Sequence, residues 1–272
     1  MALASPTIDV DRYRTDGYVV VRSVLDEDEI VACRAEVDRL ERVLDATPDD
    51  ETAIRVLWHE PAGEARRIKH IEPIIDVSDV FAELARNRRV TAAAAAMFGG
   101  EVSLFEDKLI AKPPGGGGLP WHQDWSCCWR AHTDQLITCF VSLDDAGAEN
   151  GGLQVIPGTH GDRTCLPFAD ESKFTARVSP EAVERAVLPA LQAGDMIAFD
   201  PYLLHHSARN VSKNWRRTMI YTYGPATHGD LYHYDVSSGR IRWVDDIYEF
   251  DAESGLKWVL RNSDGDPSAT AG

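Results

Sequence analysis

Beyond Gly100 the chain is cut into short apolar runs, and that rhythm limits its fold more than any other feature. The runs are Val102–Phe105, Leu109–Ala111, Leu136–Leu143, Leu153–Ile156, Met196–Phe199 and Arg217–Tyr223. Turn-forming stretches separate them: Pro113–Pro120, Asp144–Gly152, Pro157–Asp162 and Ala193–Asp195. Apolar runs this short, bounded by Gly and Pro, read as strands rather than buried helices. Several of them in succession predict a mainly antiparallel sandwich or barrel. A single short helix interrupts them, with Ser179 as its cap and Pro180 at its first position.

The part before Gly100 reads differently. Gly17-Tyr18-Val19-Val20-Val21 is a short strand. Asp26 and Glu29 then form a capping box, and Ile30, Cys33, Val37, Leu40 and Leu44 recur at the spacing of one helix face. A second helical region runs from Ser78 to Phe98 and stops at Gly99-Gly100. The expectation is one domain over 1–272. It has a mainly helical part at 1–100, a β core at 101–261 and a flexible polar tail at 262–272.

Charge removes several classes of function. Lys+Arg 28 against Asp+Glu 44 leaves a net −16, which repels phosphate backbones and anionic lipid heads. Nucleic acid and membrane are therefore not expected partners, and no run approaches the about 18 apolar residues of a membrane span. Cys33, Cys127, Cys128, Cys139 and Cys165 are odd in number and form no CxxC pair, which fits a reducing cytoplasm better than a disulfide framework.

The chemistry concentrates in Trp121-His122-Gln123-Asp124-Trp125. On a strand, positions two apart share a face, so His122 and Asp124 would converge on one point. A third metal ligand must come from a neighbouring strand, and the run Ile197–Ser207 ends in His205-His206. Two histidines and a carboxylate on one side of a metal leave positions open, the arrangement of non-haem iron(II) oxygenases. Strand alternation lets only one of His205 and His206 face the metal and does not choose between them. Arg216 follows eleven residues after His205. A planar guanidinium there suits the far carboxylate of a chelating dicarboxylate.

These segments resemble the phytanoyl-CoA dioxygenase family of iron(II)/2-oxoglutarate-dependent oxygenases. The matching pieces are Asp16–Val21 with its following helix, Lys112-Pro113-Pro114, His122-Gln123-Asp124, Glu149–His160 and His205–Asn210. The resemblance implies a double-stranded β-helix (jelly roll) core with N-terminal helices. It implies iron(II), 2-oxoglutarate and O2 as cofactor and cosubstrates, with His122, Asp124 and His205 as catalytic iron ligands. The family's His-x-Ser-x-x-Asn motif selects His205 over His206. Arg216, rather than Arg217, falls on the cosubstrate arginine and Ser207 on the cosubstrate serine.

By the same matching Lys108 and Phe140 lie at cosubstrate positions. Thr138, two before Phe140, shares its face and could donate a hydroxyl. The position of Lys108 is commonly uncharged in the family, so Lys108 either serves the cosubstrate or is a surface charge. The carboxylate Asp124 argues for oxygenation over chlorination.

Trp125, Trp129 and Arg130 follow the metal motif and are the candidate substrate-binding residues, with the aromatic stretch Tyr232–Trp243 across the mouth. The expected activity is hydroxylation of an unactivated C–H in a small organic molecule, with succinate and CO2 as co-products. The Ala- and Arg-rich composition points to bacterial specialised metabolism, such as antibiotic biosynthesis. Desaturation, epimerisation or cyclisation by the same iron chemistry is the alternative among enzymes. A metal-holding barrel that binds without turnover is the alternative outside them, and a zinc hydrolase would want an acid or base that the motif lacks. A monomer or homodimer is expected.

Overall fold

The computed structural model describes residues 6–47, 56–59, 66–127, 133–170, 175–232, 248–251 and 257–260. The expected tail at 262–272 lies outside them.

A seven-stranded antiparallel sheet carries the molecule. In spatial order it contains β1 (Tyr18–Val21), β10 (Met196–Phe199), β6 (Ile137–Ser142), β12 (Arg216–Pro225), β4 (Val102–Lys112), β3 (Arg67–Ile71) and β2 (Val56–His59). A second sheet of three strands is ordered β5 (Leu119–His122), β11 (His205–Ser207) and β7 (Leu153–Val155), and β8 (Phe168–Asp170) pairs with β9 (Thr175–Ala176). Strand periodicity of two explains how they stack. One face of the large sheet presents Phe140, Ile197, Phe199 and Ile220, which pack with Leu153, Val155 and Leu203 from the side of the small sheet. The other face presents Cys139, Val141, Met196, Ala198, Met219, Tyr221 and Tyr223. These two packed sheets form the jelly roll that the sequence resemblance implied.

Helices cover that second face. They are α1 (Val10–Asp16), α2 (Glu27–Asp45), α3 (Asp79–Ala85) and α4 (Arg88–Phe98). The Asp26–Glu29 capping box is present, and Ile30, Cys33, Val37, Leu40 and Leu44 are the buried stripe of α2. Helix α3 is tied down at its end: the phenols of Tyr221 and Tyr223 donate to the carbonyls of Phe81 (2.8 Å) and Ala85 (2.7 Å). The region 78–98 is two helices rather than one. Asn87 caps the second by accepting from the Arg89 amide at 2.9 Å, a local competitor that the apolar periodicity does not register. A one-turn helix α5 (Asp124–Cys127) follows β5, and α6 (Pro180–Val183) has the predicted Ser179 cap.

The apolar runs 102–105 and 109–111 belong to one continuous strand, β4. Its polar centre is buried on both sides, Glu106 at 1% and Asp107 at 0% exposure. Asp107 points to the helical side, where its carboxylate accepts from the Ile74 and Ile75 amides and the Tyr232 hydroxyl. Glu106 and Lys108 point to the inner side.

Gly151 shows how tightly the two sheets' loops meet. Its φ is +73°, and a Cβ there would lie 2.2 Å from the Ala208 carbonyl oxygen. Gly151→Ala is expected to cost about 2 kcal/mol or more, from backbone strain plus a clash with backbone that has little room to yield. Chemical denaturation measures this, and an unchanged midpoint would contradict it.

Candidate active site

Strand β5 ends at His122, and the chain turns so that Asp124 opens helix α5. The strand geometry expected for the His-x-Asp pair is therefore replaced by a strand end and a helical turn. The turn is possible because Gln123 is buried and cross-links the surrounding loops. Its amide nitrogen donates to the carbonyls of Thr164 (3.0 Å) and Tyr202 (2.8 Å), and its oxygen accepts from the Leu166 amide (2.8 Å).

His205 starts β11 and is the direct cross-strand partner of His122. One ligand atom from each of His122, Asp124 and His205 lies within 4.8 Å of the others. Asp124 Oδ1 is 3.6 Å from His122 Nε2 and 3.5 Å from His205 Nε2. The tautomers follow from the other ring nitrogens. His122 Nδ1 lies 2.8 Å from the Pro120 carbonyl and His205 Nδ1 lies 2.9 Å from the Leu203 carbonyl. A carbonyl only accepts, so each neutral ring donates from Nδ1 and turns the Nε2 lone pair to the common point. Asp124 Oδ2 accepts from the Thr138 hydroxyl at 3.1 Å, which leaves Oδ1 aimed inward.

Charge states agree with this donor set. Burial, and then the neighbouring His205, push His122 down to about 3, so it is neutral. Burial alone would raise the Asp124 carboxyl, but attraction to positive charge on the side of His205 and His122 outweighs it and holds it below the usual carboxylate range, a place a divalent ion fills once both rings present their lone pairs. Neutral imidazoles and an ionised carboxylate are the forms that bind a divalent metal. This donor set fits iron(II).

Arg216 is 2% exposed on the same inner face. Its guanidinium lies 5.5 Å from the Phe140 ring and donates to the Thr218 hydroxyl at 3.1 Å. Its Nε has no hydrogen-bond partner, and burial pushes its pKa down to about 10. A buried guanidinium left in that state is a site for an anion. Arg217 alternates to the other side and makes two 2.9 Å bonds to Asp144. His206 likewise turns away and packs on Trp121, ring centroids 4.2 Å apart.

Lys112 is the cross-strand partner of Arg216 and is 4% exposed. Its amine donates to Ser207 Oγ and to the Ala208 carbonyl, both at 2.7 Å. The Lys-Pro-Pro motif had marked this lysine without giving it a task. The signal was its place at even spacing from Lys108 on β4, which puts both on one face.

Lys108 is not a surface charge: its side chain is 15% exposed and pairs with Glu106. Phe140 lies under Arg216, and Trp125 stacks on Tyr202 at 5.8 Å. Trp129, Arg130 and most of the stretch 232–243 lie outside the described residues.

Residues 13–218 match the family described as phytanoyl-CoA dioxygenase (PhyH). Over 225 residues the chain is 30% identical to a methylphosphonate hydroxylase of Gimesia maris, covering 82% of each chain. It is 25% identical over 257 residues to an L-proline trans-4-hydroxylase of Streptomyces griseoviridis, covering 84% of this chain and 90% of that enzyme. Among solved structures, EctD from S. alaskensis in its apoform superposes with a TM-score of 0.67 at 26% identity. That match covers 80% of this chain and 76% of EctD.

Proposed function

The chain belongs to the phytanoyl-CoA dioxygenase family, and as a 2-oxoglutarate-dependent non-haem iron dioxygenase, we propose, it hydroxylates an unactivated C–H bond of a small organic molecule. The observation that carries this reading is the convergence of His122, Asp124 and His205 within 4.8 Å, with the buried cation Arg216 on the same inner face. Hydroxylation is favoured over the other outcomes because the relatives described above are named hydroxylases.

In this reading His122, Asp124 and His205 hold the iron. When bound, iron(II) with 2-oxoglutarate and O2 supplies the oxidising power to break a C–H bond, leaving succinate and CO2. The protein's own part is positioning. Thr138 keeps Asp124 turned to the metal, and Phe140 and Thr218 hold the Arg216 guanidinium in place. Arg216 anchors the far carboxylate of the cosubstrate, Ser207 assists it, and Lys108 lies along its span. Trp125 contributes to the substrate side, for which Trp129 and Arg130 are the further candidates from the sequence.

The test is anaerobic addition of iron(II) and 2-oxoglutarate, followed by the visible absorption of the chelate. A screen for substrate-dependent succinate release then identifies the substrate. Absence of the absorption in the folded protein would refute the reading.

Lys112 adds a pH test. Burial, and then the charge of Arg216, push its pKa down to about 6. The other titratable groups near it are His206 and His59, both pushed down by burial first. A neutral amine has two N–H bonds to give, matching its two acceptors. A carboxylate held at Arg216 favours the ammonium, so the loaded protein binds more protons than the free one. Cosubstrate affinity is therefore expected to fall as pH rises above about 6. Calorimetry in buffers of different ionisation heat should show uptake of up to about one proton per 2-oxoglutarate, lost in Lys112→Met. No uptake in the unaltered protein would contradict this.

A further inference from the structure

We propose that Glu106, with the hydroxyl of Thr222 beside it, determines specificity for the primary substrate and selects small molecules that carry a protonated nitrogen. This rests on the dioxygenase reading above and goes further, to the chemical class of the substrate.

The register of the large sheet arranges its inner face in rows. Lys108, Ile220 and Phe140 form one row; Glu106, Thr222 and Thr138 form the next. The first row is the level of the Arg216 guanidinium, which lies over Phe140. The second is the level of the metal ligands, because Thr138 bonds Asp124. A cosubstrate running from Arg216 to the metal passes Lys108 and stops short of Glu106. Glu106 and Thr222 therefore stand beside the metal, on the part of the wall left to the substrate. Two strand spacings, about 10 Å, separate Glu106 from Thr138, the span of a small molecule that holds one of its C–H bonds at the metal.

Two independent observations give this wall its chemistry. The Thr222 hydroxyl is wholly buried and has no hydrogen-bond partner. A buried hydroxyl left so is costly, and a ligand that bonds it recovers that cost. The second is charge. Glu106 is 1% exposed, and the negative charges of Glu72 and Asp124 both reach it. Burial, first of all, pushes its carboxyl up to about 8, Lys108 works against that, and the two neighbouring carboxylates add to it. Glu106, Glu72 and Asp124 stand against Lys108 there, so a cation arriving beside Glu106 favours its ionised form and is itself favoured over a neutral molecule of the same shape. An ammonium or amidinium also has several N–H bonds, enough for the Glu106 carboxylate and the Thr222 oxygen together.

The test uses the anaerobic protein loaded with iron(II) and 2-oxoglutarate, whose visible absorption shifts when a molecule enters the substrate side. Probes come as matched pairs that differ in one protonated nitrogen: L-proline against cyclopentanecarboxylate, and 2-aminoethylphosphonate against ethylphosphonate. At least one nitrogen-bearing probe is expected to bind about tenfold or more tightly than its partner, the worth of one charge-assisted hydrogen bond. Glu106→Gln should erase that preference; because Glu106 pairs with Lys108, 2-oxoglutarate is held at saturation for each variant, so that any change in its own affinity does not enter the comparison of probes. Should Glu106→Gln not fold, Thr222→Val must reduce the preference several-fold. The proposal is overturned if no pair shows the preference, or if it survives both variants that fold. Absorption present without any such preference sinks this inference alone, whereas absorption absent before any probe is added sinks the dioxygenase reading.

Discussion

Asp124→Ala is expected to abolish turnover and to weaken iron(II) binding far beyond the roughly 10–100-fold that loss of a merely orienting partner costs. The reason is electrostatic. Asp124 brings the one negative charge of the donor set, since the two histidines are neutral when they present Nε2. Without it a divalent ion would have to leave water for two uncharged rings in a buried site. Thr138→Val removes only the hydroxyl that turns the carboxylate, so its loss should stay within that roughly 10–100-fold range. Anaerobic titration with iron(II), on variants whose circular dichroism matches the parent, separates the two. Comparable iron affinity in Asp124→Ala and the parent would show that the metal is held elsewhere.

Arg216→Met should raise the dissociation constant for 2-oxoglutarate by about 2–5 kcal/mol, some 30-fold to several thousand-fold, the cost of leaving a buried charge without its partner. Iron(II) affinity should change little. The same substitution carries a second, opposite signature. Burial lowers the guanidinium pKa to about 10 from its ordinary 12.5, so the charged form is disfavoured by folding. A base with a depressed folded pKa is free of that penalty only above its unfolded pKa and carries it in full below the folded one. At neutral pH the variant is therefore expected to unfold at the same temperature as the parent or higher. A residue that costs stability and yet binds the cosubstrate is kept for the ligand. A large drop in melting temperature, or unchanged 2-oxoglutarate affinity, would contradict this account.

What could be read along the chain was local. The capping box Asp26–Glu29, the Ser179 cap and the αL glycine at Gly99 each involve neighbours a few residues apart, and all three stand in the structure. Strands β6, β7, β10 and β12 were legible because their apolar runs are dense. Strands β2 and β3 were not: Arg67–Ile71 is mixed in polarity and sits near the sheet edge, where a kinked register weakens the alternation. Helix α1 escaped notice because a helix of about two turns with a single buried side chain, Tyr13, leaves no periodic stripe.

The site divides along the same line. Residue types and their spacing along the chain named His122, Asp124, His205 and Arg216, since a metal and a dicarboxylate require those groups whatever the fold. That Asp124 sits on a helical turn, that Thr138 bonds it, and that Lys112, Glu106 and Thr222 share the inner face was decided only by tertiary structure. Period-two alternation says that a strand has two faces; it is silent on which one meets the metal. The packing of helices on one side and the small sheet on the other makes that choice, through contacts between residues about a hundred positions apart.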